Sequence, residues 1–418
     1  MTDQSLPQFV DDAAVLPESP LAQPVRAPRA ATTSARPEAF RPAERSLSFW
    51  ATLDKPLLFI ASVLVAFGIM MVFSTTFDWS TSEFGSSTVK VMEHIRNVVI
   101  GIAGVIGALL FGHGRLRRFA VPILLVAISF LVAVQLFGDN VFNARRTLIA
   151  GRFQPGETAE LAMIIYMAAW LGSKETRIRS LTYGLIPFSV ILGIVVGLVI
   201  LQPDLSTAMT ITIVCAVMFF LAGADLLQLA AAGAVAFGGG VLLISSGQFL
   251  YAEGRVDTFF SGLVDITAAH PHIVQAYIAF NNGGWTGLGL GQSLQKFTGL
   301  PVPHTDSIFA IVGEELGLIG AGVVVLLYML FVTRGFMIAR RATDPFGALL
   351  ATGITVWVAV KALLNISVML ALIPPTGVTL PFISFGGSSL VTLMVGVGLL
   401  LSVQRVSAQK TALIQRRR

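Results

Sequence analysis

From Lys55 onward the chain is a series of long apolar runs divided by short polar breaks. The runs fall near residues 56–77, 95–112, 119–137, 158–172, 181–201, 207–223, 226–247, 307–333, 346–370 and 386–403. Most approach the ~20 residues that a helix needs to cross a hydrocarbon layer of ~30 Å. The pattern predicts an all-α, polytopic membrane protein with about ten transmembrane helices and one long extracytoplasmic loop over 248–306. Residues 1–50 carry Pro, Ala, Ser and scattered charge with no apolar run, and are expected to be a disordered cytoplasmic tail. The membrane domain is placed at 51–405 and a basic cytoplasmic tail at 406–418. No cleavable signal peptide is visible, so the first helix is expected to act as the insertion signal.

Composition agrees with this reading. Hydrophobic residues make up 55% of the chain and charged ones 12%, with a mean hydropathy of +0.79, which excludes a water-soluble domain. The 40 glycines suit close helix contacts. Gly101, Gly104 and Gly107, three residues apart, and the run Gly238, Gly239, Gly240 are read that way. Cys215 lies in an apolar run without a partner and is read as a packing residue. The net charge of +5 becomes informative once divided by side. An even number of spans puts both termini together, and a cytoplasmic N-terminus then places most of the 28 basic residues inside. Both termini are therefore expected in the cytoplasm, and no nucleic-acid partner is expected.

The candidate chemistry lies in the polar breaks on the outer side. Asp306 ends a proline-stiffened loop, Leu300-Pro-Val-Pro-His-Thr-Asp306, that runs into an apolar helix, which puts a carboxylate at a membrane surface. Thr305 or Asp306 could equally cap that helix. Arg145, Arg146 and Arg152 stand on the outer face against the general bias, where guanidinium groups could bind phosphate. Asp204, in Gln202-Pro-Asp204, is either a helix cap or a site acid. The glycine-rich stretch Gly283-Gly-Trp-Thr-Gly-Leu-Gly-Leu-Gly-Gln-Ser-Leu-Gln-Lys296 follows no strand, so it is read as a close approach of backbone to substrate beside the Lys296 cation. Ser388 and Ser389, opening the last span after Gly386 and Gly387, could accept an anion or simply cap the helix. His304 has no partner at zinc-site spacing, so no metal site is expected.

Taken together, these stretches resemble the SEDS family (shape, elongation, division and sporulation), which includes FtsW, RodA and SpoVE. The resemblance rests on Gly284 through Lys296, His304-Thr-Asp-Ser-Ile-Phe-Ala310 with Gly313-Glu-Glu-Leu-Gly317, and Asn365 with Pro374 through Ser389. Gln202-Pro-Asp-Leu-Ser-Thr207 and Gln154-Pro with Glu157 add shorter matches, and the whole covers about 57–405. It implies a cell-wall glycosyltransferase of the bacterial cytoplasmic membrane that polymerises lipid II on the outer face. It also implies a class B penicillin-binding protein (FtsI-like) as partner, other divisome proteins nearby, and Asp306 in the place of the family's essential acid. The long N-terminal tail resembles the division branch more than the elongation branch.

In that reaction a sugar 4-hydroxyl displaces undecaprenyl pyrophosphate from an anomeric carbon with inversion. One carboxylate base suffices for so good a leaving group. The residues expected to bind substrate are Arg145, Arg146, Arg152, Glu157, Asp204, Lys296, His304, Thr305, Glu315, Lys361, Ser388 and Ser389. No cofactor is required by the spacing, though a divalent cation (Mg or Mn) could share the charge on the pyrophosphate. This chain departs from the family pattern where a lysine is usual three residues beyond Glu157: it has Glu160. Four residues before Asn365 it has Lys361 in place of a glutamine, so a basic group is read as relocated, with Lys361 facing Glu160 or the substrate cavity. Ser307 and Ser206 replace the usual Phe and Gly. The rival readings are a lipid II flippase and a non-catalytic scaffold for the penicillin-binding protein.

Overall fold

The computed structural model describes residues 49–141, 144–148, 153–173, 178–243, 250–265 and 268–417. The predicted N-terminal tail lies outside these residues, except for a short turn at Phe49–Ala51. Helix α1 (Lys55–Phe84) is followed by α2 (Val89–Phe111), and the short α3 (His113–Leu116) leads through a tight turn into α4 (Ala120–Phe137). Strands β1 (Asp139–Val141) and β2 (Ala144–Thr147) pair antiparallel. Then come α5 (Pro155–Leu171), α6 (Ile186–Ile200), α7 (Leu205–Leu221), α8 (Leu226–Leu243) and α9 (Leu250–Val264). Helix α10 (Pro271–Gly283) and the single turn α11 (Gln295–Thr298) precede α12 (Ile308–Arg341), α13 (Pro345–Met369) and α14 (Ser388–Arg417).

Among the described residues seven helical stretches are long and apolar enough to cross a membrane, and α7 and α8 are shorter apolar helices. With α5 they correspond to the ten predicted spans, and the described residues are all-α apart from the β1–β2 ribbon. Three helices start alike: Asp54, Asp204 and Asp344 each accept a backbone N–H three residues on, from Leu57 (2.9 Å), Thr207 (3.1 Å) and Gly347 (2.8 Å). Each such cap satisfies an N–H that the helix leaves unpaired and is worth about 1 kcal/mol.

Three boundaries differ from the hydropathy reading. Helix α1 continues seven residues past the predicted end at 77, which brings Asp78 and Trp79 onto it. Helix α14 runs unbroken to Arg417, so Lys410, Arg416 and Arg417 continue the helix of the last span. The stretch predicted as one long outer loop contains α9, α10 and α11. Hydropathy cannot register these segments, because amphipathic helices outside the bilayer have no continuous apolar run.

The most enclosed spans are α13 and α14, with α14 against α2 and α13 against α12, α5 and α7. The glycine reading holds for two of the three on α2: a methyl at Gly101 or Gly104 would press on Met394 or Val395 of α14, whereas one at Gly107 would meet open space. It fails for Gly238, Gly239 and Gly240, where added methyls would meet open space.

Within α12 the helix breaks at Gly317, whose φ of 67° and ψ of −170° are open almost only to glycine. The break frees backbone groups, and the glycine-rich stretch pairs with them. Leu288 and Gly289 donate N–H to the carbonyls of Glu314 (3.0 Å) and Glu315 (2.9 Å), while Leu318 N–H reaches Gly284 O at 2.9 Å. A Cβ at Gly287 would collide with the Glu315 carbonyl, and one at Gly283 with that of Gly313. Gly283 and Gly287 thus make a close backbone approach to the kinked helix α12.

Candidate active site

Asp306 is half-buried in the turn just before α12, at the same end of the bundle as the loop entering α14. Its carboxylate takes no part in capping: the residue ahead of α12, Ser307, makes no side-chain cap bond, and Asp306 Oδ1 accepts only from Thr305 Oγ1 at 2.9 Å. Among the described residues no other hydrogen bond to the Asp306 carboxylate is formed. Its main chain, by contrast, is held firmly, since Asn365 Nδ2 donates both to Asp306 O and to Val378 O, each at 2.7 Å. A fixed backbone carrying a side chain with a free oxygen is what a general base requires.

The surrounding loop is braced on three sides. Ser384 Oγ donates to Thr305 O at 2.5 Å, and Phe385 N–H to His304 O at 2.8 Å. The buried Ser307 hydroxyl donates to Pro301 O at 3.0 Å and lies 3.4 Å from His272 Nδ1. That contact gives the departure from Phe a local reason. The His304 ring stacks on Trp79 at 4.8 Å between centroids, and Lys90 lies 4.4 Å over the Trp79 ring. Burial, with the Lys90 charge adding to it, pushes His304 down to about 4, so its imidazole is neutral at neutral pH. His272 is also lowered, by burial first, and the Asp306 carboxylate pulls it the other way. Trp79, Asp78, Thr75, Lys296, Pro303 and His304 line a cavity of about 270 Å³ beside the Asp306 turn.

Lys296 lines that cavity, yet its ammonium is held by Glu315 at 3.2 Å and by Gly291 O at 2.7 Å, while Ser74 Oγ donates to Glu315 at 2.6 Å. Glu314 accepts from Asn282, Ser293 and the N–H of Gln295. Both glutamates are fully buried, and they fasten the glycine-rich stretch to α12. Asp204 is a helix cap, with Oδ2 accepting from Thr207 Oγ1 at 2.9 Å and from Gln154 Nε2 at 3.1 Å. Ser206 takes part by donating to Asp204 Oδ1 at 3.0 Å. Ser388 Oγ accepts from Gln154 N–H at 3.2 Å, and Ser389 Oγ lies 3.4 Å from Thr379 Oγ1, so both hydroxyls are engaged in loop contacts. The side chains of Arg145 and Arg146, and all of Arg152, lie outside the described residues.

One turn beneath the Asp306 anchor, Lys361 meets both acids of α5: Nζ is 2.5 Å from Glu157 Oε2 and 2.9 Å from Glu160 Oε2. Trp357 Nε1 donates to the same Glu160 oxygen at 2.8 Å. Trp357, Lys361 and Asn365 recur at four-residue steps and so share one face of α13. The relocated base therefore faces Glu160, as the sequence suggested, and forms an ion cluster below the site.

The model of the FtsW/RodA/SpoVE family, described as cell cycle proteins, matches residues 55–409. The chain belongs to this family. Among family members, a protein of Trichlorobacter lovleyi named "Probable peptidoglycan glycosyltransferase FtsW" is 36% identical over 84% of this chain and 93% of its own length. Its Bacillus subtilis counterpart of the same name is 37% identical over 84% and 90%, and the B. subtilis "Stage V sporulation protein E" is 36% identical over 85% and 97%. The crystal structure of Thermus thermophilus RodA superposes with a TM-score of 0.63 at 25% identity, over 85% of this chain and 98% of that one. A peptidoglycan synthase complex described as coordinating polymerization and crosslinking contains a chain that superposes at 0.70 with 24% identity, over 86% and 99%. That places the ten-helix architecture within the FtsW/RodA/SpoVE fold.

Sequence reasoning missed Ser74, Trp79, Lys90 and His272 as parts of the site. The first two lie beyond the smooth apolar stretch of α1, where Ser74-Thr-Thr-Phe-Asp-Trp79 is polar and aromatic, which was the available signal. Lys90 and His272 carry no motif, and only packing brings them near. Among the described residues no three His, Cys, Asp or Glu side chains gather as a metal-holding group.

Proposed function

We propose that this protein is a peptidoglycan glycosyltransferase that polymerises lipid II, with Asp306 as general base. The observation that carries the reading is the uncapped Asp306 carboxylate on an anchored main chain. Asp54, Asp204, Asp225 and Asp344, which also precede helices, have their carboxylates committed to caps. Asp306 Oδ2 accepts the proton of the attacking 4-hydroxyl while Thr305 holds Oδ1 and fixes the plane of the carboxylate. The hydroxyl oxygen bonds to the anomeric carbon as the bond to the pyrophosphate oxygen breaks, with inversion. Outer cations stabilise the departing pyrophosphate, for which the sequence offers Arg145, Arg146 and Arg152 between α4 and α5. A divalent ion carried in with the pyrophosphate would add to that stabilisation, and chelation by EDTA tests it.

The working side is the outer face of the bacterial cytoplasmic membrane, with both termini cytoplasmic. Arg115, Arg117, Arg118, Arg340, Arg341 and Arg405 gather at the bundle end opposite Asp306, which supports this orientation. The partner is a class B penicillin-binding protein, on the ground that a chain of the same fold occurs in a synthase complex that also cross-links. The relatives named FtsW favour a divisional role, within a divisome.

The test is polymerisation of fluorescent lipid II by the purified protein with its cognate penicillin-binding protein, comparing wild type with Asp306→Asn. General-base removal is expected to lower the rate by about 10²-fold or more with complex assembly unchanged. Strand synthesis by Asp306→Asn at the wild-type rate would sink the assignment. Lipid II translocation in vesicles by a wild-type protein that makes no strands would replace it with the flippase reading.

A further inference from the structure

At the bundle end opposite Asp306, α2, α3 and α14 border an open cleft of about 500 Å³. Three arginines from two stretches of the chain line it: Arg115 on α3 and Arg118 in the turn that follows, and Arg405 on α14. No aspartate or glutamate lines the cavity, and among the described residues none of the three arginines forms an ion pair. Arg115 reaches only the Phe111 carbonyl, at 3.4 Å, and Arg405 lies 4.7 Å over the Phe49 ring. Three like charges lining one cleft with no acidic side chain among them set up a positive potential that favours an anion. Ser402, buried at the floor, accepts the His113 N–H at 2.9 Å and gives its own proton to no acceptor among the described residues. Gln409 lies nearly two turns along the same helix and lines the same cavity.

The remaining wall is apolar. Leu109, Leu110 and Phe111 close one side, and Leu110 and Phe111 are 65% and 42% exposed at the bundle surface. A free inorganic anion would have no use for such a wall, whereas an acyl chain leaving a headgroup would run along it. Basic pockets between membrane helices bind anionic headgroups through this combination. We infer that this cleft binds the phosphate headgroup of an anionic phospholipid, with Arg115, Arg118 and Arg405 on the phosphate oxygens, Ser402 donating to one of them, and the acyl chain against Leu110 and Phe111. The site is separate from the Asp306 turn and does not depend on the reaction assigned there.

The experiment is native mass spectrometry of the full-length protein released from nanodiscs containing phosphatidylglycerol or phosphatidylcholine, with titration of each lipid. The wild type is expected to retain one phosphatidylglycerol at concentrations at least tenfold below those needed for phosphatidylcholine. The Arg115→Gln/Arg118→Gln/Arg405→Gln variant is expected to lose that preference, and Arg118→Gln alone, at an exposed position without a partner, to weaken it severalfold. Arg334→Gln, at a basic residue outside the cleft, should leave it intact. Equal retention by wild type and both cleft variants would overturn the proposal. So would displacement of the bound lipid by millimolar inorganic phosphate, which would mark a free-anion site.

Discussion

Removing the ammonium at position 361 should strand two carboxylates inside the bundle. Lys361, Glu157 and Glu160 are 2%, 6% and 2% exposed, and the two contacts of 2.5 and 2.9 Å leave no room for water to intervene. Breaking a buried ion pair by deleting one partner costs about 3–5 kcal/mol, because the survivor remains uncompensated in a medium of low dielectric. Lys361→Met is therefore expected to lower the folded-to-unfolded ratio by roughly 10²–10⁴-fold, at about 1.4 kcal/mol per tenfold. The exchange Glu160→Lys with Lys361→Gln keeps one cation beside Glu157, now three residues away on α5, where side chains of one helix face can meet. It should recover at least half of the loss seen in Lys361→Gln alone, so that the coupling in the double-mutant cycle amounts to about 2 kcal/mol plus the whole cost of Glu160→Lys alone. The assay is unfolding in mixed micelles followed by tryptophan emission, to which Trp357 contributes through its bond to Glu160, with strand synthesis measured in parallel. Single effects that add to within ~0.5 kcal/mol, or activity of the exchanged protein at or below the worse single variant, would refute the coupling.

Other expectations follow from the same geometry. Gly317→Ala meets both a forbidden backbone region and the Trp285 carbonyl, so it should destabilise by about 1–3 kcal/mol and detach the glycine-rich stretch, seen as faster proteolysis between α10 and α12. Gly239→Ala, with open space at that position, should leave thermal stability unchanged or slightly raised; a clear loss would show an unrecognised contact. Glu315→Gln removes the charge partner of Lys296, and strand synthesis should fall while thermal unfolding still shows a folded protein; unchanged synthesis would remove Glu315 from the site's support. His304, lowered to about 4 from an ordinary 6.5, binds fewer protons when folded than when unfolded between those values. Its contribution to stability is thus complete above pH 6.5 and lost as pH falls towards 4. His304→Gln should flatten the pH dependence of stability in that window, and parallel curves for the two proteins would count against the burial argument.

Much of the candidate site was visible along the chain because its residues are close in sequence. Asp306, Thr305, His304 and the paired glutamates fall within one loop and one helix start, and their polarity against apolar surroundings marks them. Lys361 stood out for the same reason, as an ammonium in a membrane span that demanded a partner. The choice between cap and catalytic acid was not visible, since Asp204 and Asp306 look alike in sequence: each follows proline closely and precedes an apolar run. The difference is that Asp204 has Thr207 and Gln154 within reach and Asp306 has a free oxygen, and those partners come from packing of α5, α7, α12 and α13.

The sequence by itself determined the number of spans, the all-α class and the family, because membrane insertion depends on local hydropathy and each span satisfies its own backbone hydrogen bonds. Only the tertiary structure decided where the glycine-rich stretch docks, that Lys296 is tied to Glu315, and that Lys361 joins two acids of another helix. Those contacts join residues far apart in the chain, from 19 positions for Lys296 with Glu315 to 204 for Lys361 with Glu157. Such pairings are set by which helix faces meet, and helix faces meet according to side-chain shape and the small residues between them, which the order of residues along any one helix does not reveal.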